Sequence, residues 1–167
     1  MCIRDSLYGA GDAKIGSVIN GDAVSGKRLK NKFLKNLPAL GRLVEDVKAV
    51  AKRGYLLGLD GRRIHVRHSH AALNTLLQGA GAIVCKTWIT HVDRLMRERG
   101  YVHGWDGDYA FNAFSHDEIQ VAIKGDQTIS DYRQVVIEAM EITTVQYKFR
   151  CPLACESKVG KTWNDTH

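Results

Sequence analysis

The stretch Ala110–Gly125, AFNAFSHDEIQVAIKG, sets two apolar segments on either side of the His-Asp-Glu tripeptide at 116–118. In the second segment every other residue is apolar, so that Ile119, Val121 and Ile123 share one face of a strand. The pattern predicts a hairpin with two acids and an imidazole at its apex. A polar apex is ordinary by itself, because hairpin turns are usually exposed to solvent. A hairpin with one buried face would, in addition, hold both carboxylates in place.

Carboxylates on a rigid arm suit Mg²⁺ that is shared with substrate phosphates. A two-metal phosphoryl-transfer site needs a further carboxylate from another strand, so Asp117 and Glu118 could form only part of one. No other acid of the chain has a comparable context. The remaining candidates fall on predicted helices or in a turn: Glu45, Asp46, Asp93, Asp106 and Asp108.

The composition limits how large a core the chain can bury and indicates which class of protein it belongs to. With 167 residues and 44% apolar content the chain can bury one substantial core. The formal charge is +6, and the excess is concentrated in GKRLKNKFLKN (26–36) and GRRIHVRHSH (61–70), which favours a nucleic acid as partner. No apolar run approaches the roughly 20 residues of a membrane span, and no secretory signal is recognisable. We therefore expect a soluble cytoplasmic protein whose four cysteines are reduced.

The order of predicted elements indicates an α+β fold with helices first and sheet later. Helical spacing predicts helices over 13–19 (capped by Asp12), 23–37, 38–53, about 70–99 and 130–147. Asp60-Gly61 predicts the turn of a hairpin over 55–66, and a final strand is expected through 149–159. The long helix has a predicted core stripe at Leu73, Leu77, Ala80, Val84, Trp88, His91 and Leu95.

A polar stripe lies on the same long helix. His70, Asn74 and Gln78 recur every four residues and so project from one face, and the small residues 79–82 follow at once. The ordinary interpretation is a solvated helix face next to tight helix packing. The functional alternative is that these donors reach the minor-groove acceptors that every base pair offers. Such contacts would test pairing geometry without reading sequence.

Four ordered blocks resemble the C-terminal part of the family A DNA polymerases, in particular the T-seven-like podophage replicative type. LYGAGDAKIG (7–16) resembles the end of motif B, and GLDGRRIHVRHSHAALNTLLQGAGA (58–82) resembles the palm hairpin and long helix. HGWDGDYAFNAFSHDEIQV (103–121) resembles motif C, and FRCPLACESKVGKTWNDTH (149–167) resembles the chain end. The implied organisation is a helical fingers remnant over 7–54, then a palm portion over 55–167. That portion would have an antiparallel sheet packed on long helices, a motif C hairpin and a C-terminal strand.

The resemblance implies catalytic roles at the hairpin apex. Asp117 corresponds to the motif C aspartate that ligates catalytic metal, and Glu118 corresponds to its acidic neighbour. His116 corresponds to the residue beside the primer terminus. The implied cofactor is Mg²⁺, with two ions expected in the complete enzyme.

The resemblance also implies contacts with DNA. Tyr8 matches the last tyrosine of motif B, which abuts the templating base. Asn74 and Gln78 match residues that touch the duplex minor groove near the primer end, and His70 is expected to join them. The implied partners are a DNA primer-template, deoxynucleoside triphosphates and a host processivity factor that would bind upstream of Leu7, with no membrane.

The departures from the family pattern qualify this picture. MCIRDS (1–6) resembles no part of the family and is interpreted as a foreign leader. The motif A strand with its aspartate, most of motif B, the thumb and the exonuclease domain have no counterpart. We therefore expect part of a DNA-directed DNA polymerase for phage DNA replication, inactive by itself.

Two alternatives belong to other classes. A standalone nucleic-acid-binding module would keep the basic segments and the polar stripe without any chemistry. A metal-binding protein would use the histidines of HVRHSH (65–70) or the cysteines of CPLAC (151–155). The histidines, however, sit at a strand end and helix start that need no metal.

Overall fold

A computed structural model describes residues 10–166 of the chain. The chain divides into two compact units, Met1–Ala80 and Gly81–His167. Helices predominate, and two separate two-stranded antiparallel sheets accompany them, which confirms the α+β class. No helix of the described part is both long and apolar enough to cross a membrane.

The first unit contains three helices followed by a small hairpin. Its elements are α1 (Asp12–Val18), α2 (Ala23–Asn36), α3 (Pro38–Ala51), β1 (Tyr55–Leu57) and β2 (Arg63–His65). The three predicted helices are therefore confirmed. The predicted cap is wrong, because Gly11 caps α1 and Asp12 lies in its first turn. Pro38 opens α3, where a missing N–H costs nothing.

Strands β1 and β2 pair antiparallel, with Leu56 opposite Ile64. The connecting loop spans residues 58–62, and Gly61 adopts a φ of +80° that most residues avoid. Leu56 is buried with residues of α3 and of the following helix in a small core. Its members are Val47, Ala51, Leu56, Val66, Ala72 and Leu73.

Helices α1 and α2 approach each other through two buried glycines. A Cβ placed on Gly26 would lie 1.9 Å from the carbonyl oxygen of Asp12, and one on Gly16 would lie 2.0 Å from that of Asp22. Both distances are far below van der Waals contact. Only glycine therefore allows this helix pair to pack as it does.

The long helix α4 (Ala72–Glu98) begins in the first unit and continues into the second, after a 3₁₀ turn at Ser69–Ala71. Trp88 and Leu95 are buried as predicted, but Leu77 is 41% exposed and Leu76 packs against the core instead. Leu76 lies about 100° around the helix from Leu77, which puts it on the side that faces this core.

The second unit adds strands β3 (Tyr109–Ser115) and β4 (Glu118–Ile123) and helices α5 (Asp126–Gln146) and α6 (Trp163–Thr166). Its core is formed by buried residues of α4, β3 and α5. They are Trp88, Val92, Leu95, Met96, Tyr109, Tyr132, Val135, Val136, Ala139 and Met140. The Trp88 indole N–H also donates to the carbonyl oxygen of Val136 at 2.8 Å, which ties α4 to α5.

The predicted C-terminal strand is wrong, because residues 147–162 contain no strand. This segment instead makes side-chain contacts with α5. The N–H of Leu153 donates to the Thr144 hydroxyl at 3.2 Å, and Arg133 donates to the Ser157 hydroxyl at 3.1 Å. Pro152 has no N–H for a ladder, which explains why an apolar segment fails to join a sheet here.

Candidate active site

The His-Asp-Glu stretch forms the apex of a hairpin, as its flanking pattern predicts. Ser115 pairs with Glu118, so that His116 and Asp117 make a two-residue loop. His116 has a φ of +55°, in the left-handed region that glycine usually occupies in such loops. The chain thus turns without glycine or proline by placing a histidine in a costly conformation.

The hairpin is anchored at its base. Tyr109, the first residue of β3, is 1% exposed, and its hydroxyl donates to the carboxylate of Asp93 on α4 at 2.7 Å. On β4, Ile119, Val121 and Ile123 are partly buried against the core, as the alternation predicts. One face and one end of the hairpin are therefore fixed, while the apex projects from the core.

A bulge interrupts the ladder midway along β3. Phe111 pairs with Val121 and Ala113 with Gln120, which leaves Asn112 as an extra residue. Bulges increase local twist and re-aim the residues that follow. Asn112 also lines the same groove as the apex carboxylates. The bulge therefore contributes to the direction in which the apex points.

The apex carboxylates lie in a groove of about 1230 Å³ formed entirely by residues of the second unit. Asp117 is exposed, whereas Glu118 is partly buried and accepts a hydrogen bond from the Gln120 amide. Cys85 of α4 lines the groove as well. Burial raises the pKa of the Cys85 thiol above its ordinary value, and the negative charge of Asp117 adds to this. The thiol therefore stays protonated beside the carboxylate.

The donor atoms at this apex are of the chemical type that binds a hard cation. Asp117 and Glu118 supply carboxylate oxygens, the ligands that Mg²⁺ prefers. Within residues 10–166, no group of three or more His, Cys, Asp and Glu side chains is arranged to hold a metal ion. Mg²⁺ is commonly bound through one or two carboxylates, with water and substrate phosphates completing its shell.

The residues predicted to contact DNA are placed on or near α4. Asn74 and Gln78 lie four residues apart on the helix; Gln78 is exposed, and the Asn74 amide oxygen is buried without a partner in the described part of the chain. His70 belongs to the preceding 3₁₀ turn, where its ring stacks on that of His68 at 5.4 Å. The helical spacing argument therefore rests on Asn74 and Gln78 alone. Tyr8 lies outside the described residues.

Sequence reasoning missed three residues around the apex. Asn112 interrupts an otherwise apolar strand, and this break in alternation was a usable signal for a bulge. Gln120 sits two residues after Glu118, a spacing that places both side chains on one face of a strand. Cys85 carried no comparable signal, because only tertiary packing brings it near Asp117.

Comparison with known proteins identifies the family. A family model described as DNA polymerase family A matches residues 5–165. The DNA-directed DNA polymerase of Enterobacteria phage T3 is 44% identical over 176 residues, and that of Escherichia phage T7 is 43% identical over 176 residues. Each alignment covers 96% of this chain and 25% of the relative. The chain thus spans about a quarter of the length of these relatives.

A solved structure shows the same fold. The POL domain of Pol1 from M. smegmatis, in complex with DNA primer-template and dNTP, superimposes with a TM-score of 0.70 at 20% identity. The match covers 84% of this chain and 26% of that chain. From the family match, the phage relatives and the shared fold together, the chain belongs to the family A DNA polymerases.

Proposed function

We propose that the β3–β4 hairpin supplies part of a two-metal site for template-directed transfer of deoxynucleotides to a DNA primer. The observation that supports this most is the position of Asp117, exposed at the apex of a hairpin whose base and inner face are held by the core. A carboxylate held this way keeps its position without reorganising when charge develops on a substrate. The phage relatives are named as DNA-directed DNA polymerases.

In this proposal Asp117 would hold the metal, and Glu118 would support it. When bound, Mg²⁺ would activate the primer 3′-hydroxyl and stabilise charge on the α-phosphate. The amide of Gln120 donates to Glu118 and so orients that carboxylate. His116 would lie beside the primer terminus, in the two-residue loop that it closes with a φ of +55°.

A second carboxylate would have to come from another strand of the protein. Among the described residues β4 pairs only with β3, so its other edge has unpaired backbone N–H and C=O groups. A strand bearing that carboxylate could add to this edge within the groove. We propose that the 167-residue chain alone does not extend a primer, because within residues 10–166 no further carboxylate joins Asp117 and Glu118 in a metal-binding group.

The proposed partners are a primer-template duplex and deoxynucleoside triphosphates. Asn74 and Gln78 would contact the minor groove near the primer end, with His70 nearby, and Tyr8 would abut the templating base. Such an enzyme would act in the cytoplasm of the host cell. A host processivity factor would bind elsewhere on the complete protein.

A chimeric enzyme tests the proposal. Residues 7–167 would replace the matching quarter of the phage T7 polymerase, which is 43% identical, and primer extension with Mg²⁺ would be measured. We expect the chimera to extend primers and Asp117→Asn to reduce the rate by at least roughly 10²-fold, since a preorganised charge at the reacting phosphate is lost.

Asp106→Asn is the matched control, because Asp106 is an exposed acid in the loop before β3 and the same charge is removed. It should leave the extension rate unchanged. Full extension by the Asp117→Asn chimera would contradict the proposal. So would a folded chimera that binds primer-template but extends nothing.

A further inference from the structure

The charges of the chain are divided unevenly between the two units. Residues 1–80 contain 14 Lys and Arg against 6 Asp and Glu, a net charge of +8. Residues 81–167 contain 10 against 12, a net charge of −2. The whole positive excess therefore belongs to the first unit, and a polyanion would be attracted there rather than to the second unit, which contains the hairpin apex.

Within the first unit, the β1–β2 ladder has one buried and one outward face. Leu56 is 3% exposed, and its partner Ile64 is directed the same way. The opposite face carries the pairs Tyr55 with His65 and Leu57 with Arg63. Leu57 is 52% exposed, Arg63 and His65 are exposed as well, and Tyr55 is partly buried.

Two arginines meet at the ring of Tyr55 on this face. The guanidinium carbon of Arg53 lies 4.4 Å from the ring centre, and that of Arg63 lies 4.7 Å from it. The Nε–H of Arg53 also donates to the Tyr55 carbonyl oxygen at 3.1 Å, and this bond holds the guanidinium in place. Stacking on one ring thus holds two positive charges close together.

Neither charge is compensated within the described residues 10–166. Arg53 and Arg63 form no ion pair there, and the nearby carboxylate of Asp60 is engaged by Arg62. Two adjacent like charges repel each other, and an anion bound between them would relieve that repulsion. Leu57, Arg63 and His65 on this face are exposed, which suits an extended polyanion better than a small enclosed ligand.

We propose that the outward face of the β1–β2 ladder, centred on Arg53, Tyr55 and Arg63, binds the sugar-phosphate backbone of duplex DNA. The inference rests on the proposed function, which brings a duplex to this chain. The guanidinium fork matches the oxygens of a phosphate, and tyrosine hydroxyls are common phosphate donors. Contacts of this kind position a duplex without reading its sequence.

The test is the salt dependence of binding by the 167-residue chain. Fluorescence anisotropy with a labelled mixed-sequence duplex would be measured between about 50 and 200 mM NaCl. Each lost phosphate contact lowers the slope of log affinity against log salt by about 0.9. We expect Arg53→Gln/Arg63→Gln to lower the slope by roughly 1.8. Because both side chains are exposed, the melting temperature should stay near that of the unsubstituted chain.

Arg94→Gln/Arg97→Gln is the matched control. It removes the same charge from the second unit, where Arg94 pairs with Glu98 at 2.7 Å and Arg97 with Asp93 at 2.8 Å. The control should keep the slope of the unsubstituted chain. Equal slopes for both double variants would overturn the ladder-face inference and leave the proposed function intact.

Two further outcomes separate the alternatives. If the unsubstituted chain ignores duplex DNA but binds vesicles that contain phosphatidylserine, the face recognises a lipid surface and the inference is wrong. If the chain binds DNA through this face while the Asp117→Asn chimera retains full extension, the inference stands and the proposed catalytic site is wrong. Primer extension and salt slope therefore report on the two proposals separately.

Discussion

The hydroxyl of Tyr109 donates a 2.7 Å hydrogen bond to the carboxylate of Asp93, and this bond joins the base of the hairpin to the long helix α4. Arg97 donates to the same carboxylate at 2.8 Å. The bond lies at the opposite end of β3 from the apex, so its effect on the candidate site is through the orientation of the strand. The stability of the protein and the dependence of that stability on pH should both reflect this bond.

Replacing Tyr109 with phenylalanine should destabilise the protein by about 1.5 kcal/mol, the lower end of the range for a hydrogen bond to a charged group. Asp93 would keep its bond to Arg97, so no buried charge is left alone. Urea unfolding followed by circular dichroism measures the change. Tyr147→Phe is a control, because its hydroxyl bonds the neutral Thr87 hydroxyl at 2.8 Å and its loss should cost less. A larger cost at Tyr147 would contradict this explanation.

Stability should fall in alkali because of the same tyrosine. Burial, followed by donation to Asp93, raises the pKa of Tyr109 above its ordinary value of 10.0. The unfolded chain therefore loses this proton first, so the stabilisation is complete below pH 10 and declines as the pH rises above it. The free energy of unfolding of Tyr109→Phe, measured between pH 9 and about 11, should decline less steeply. If the free energy of unfolding falls equally steeply with pH in both proteins, Tyr109 is not the cause of the decline.

Gly26→Ala should be strongly destabilising, by roughly 1–3 kcal/mol, because the new methyl group would meet the Asp12 carbonyl oxygen at 1.9 Å. Relief requires α1 and α2 to move apart. Gly41→Ala is the matched control within α3, since its methyl group would lie 3.8 Å from the nearest atom. Helix propensity predicts that Gly41→Ala stabilises by about 0.5–1 kcal/mol. Thermal unfolding of both variants tests this prediction. Melting temperatures that shift in the same direction in the two variants would refute the packing argument.

His116→Gly should raise stability and lower activity together. Glycine adopts the φ of +55° at this position without a steric penalty, which favours the hairpin by about 0.5–1 kcal/mol. If the imidazole contacts the primer terminus, primer extension by the chimeric enzyme falls. Lys148→Gly offers a control with a φ of +52°, where the same gain in stability should leave extension unchanged. A His116→Gly chimera with full activity would remove His116 from the site.

The helices of the first unit, the two hairpins and the family could be predicted from the sequence. The alternation of Ile119, Val121 and Ile123 was sufficient to predict the hairpin, because the period of two is a local property of an extended chain. Ordered blocks of sequence also carried the resemblance that the comparisons confirmed.

The neighbours that pack against each element depend on tertiary contacts that local patterns do not contain. The segment around Leu153 was predicted as a strand, yet it contacts α5, and Pro152 beside it has no N–H for a ladder. Leu77 fits the helical spacing of the predicted stripe but faces outward, because the neighbouring elements cover a different side of this part of the helix. Cys85 comes near enough to Asp117 to feel its charge, and Arg53 and Arg63 stack on Tyr55, only after folding. Contacts between residues far apart in the sequence depend on packing that no local period encodes. The apex at 116–118 could be predicted from the local pattern, whereas its anchoring at Asp93 and the stacking of two arginines on Tyr55 needed the structure.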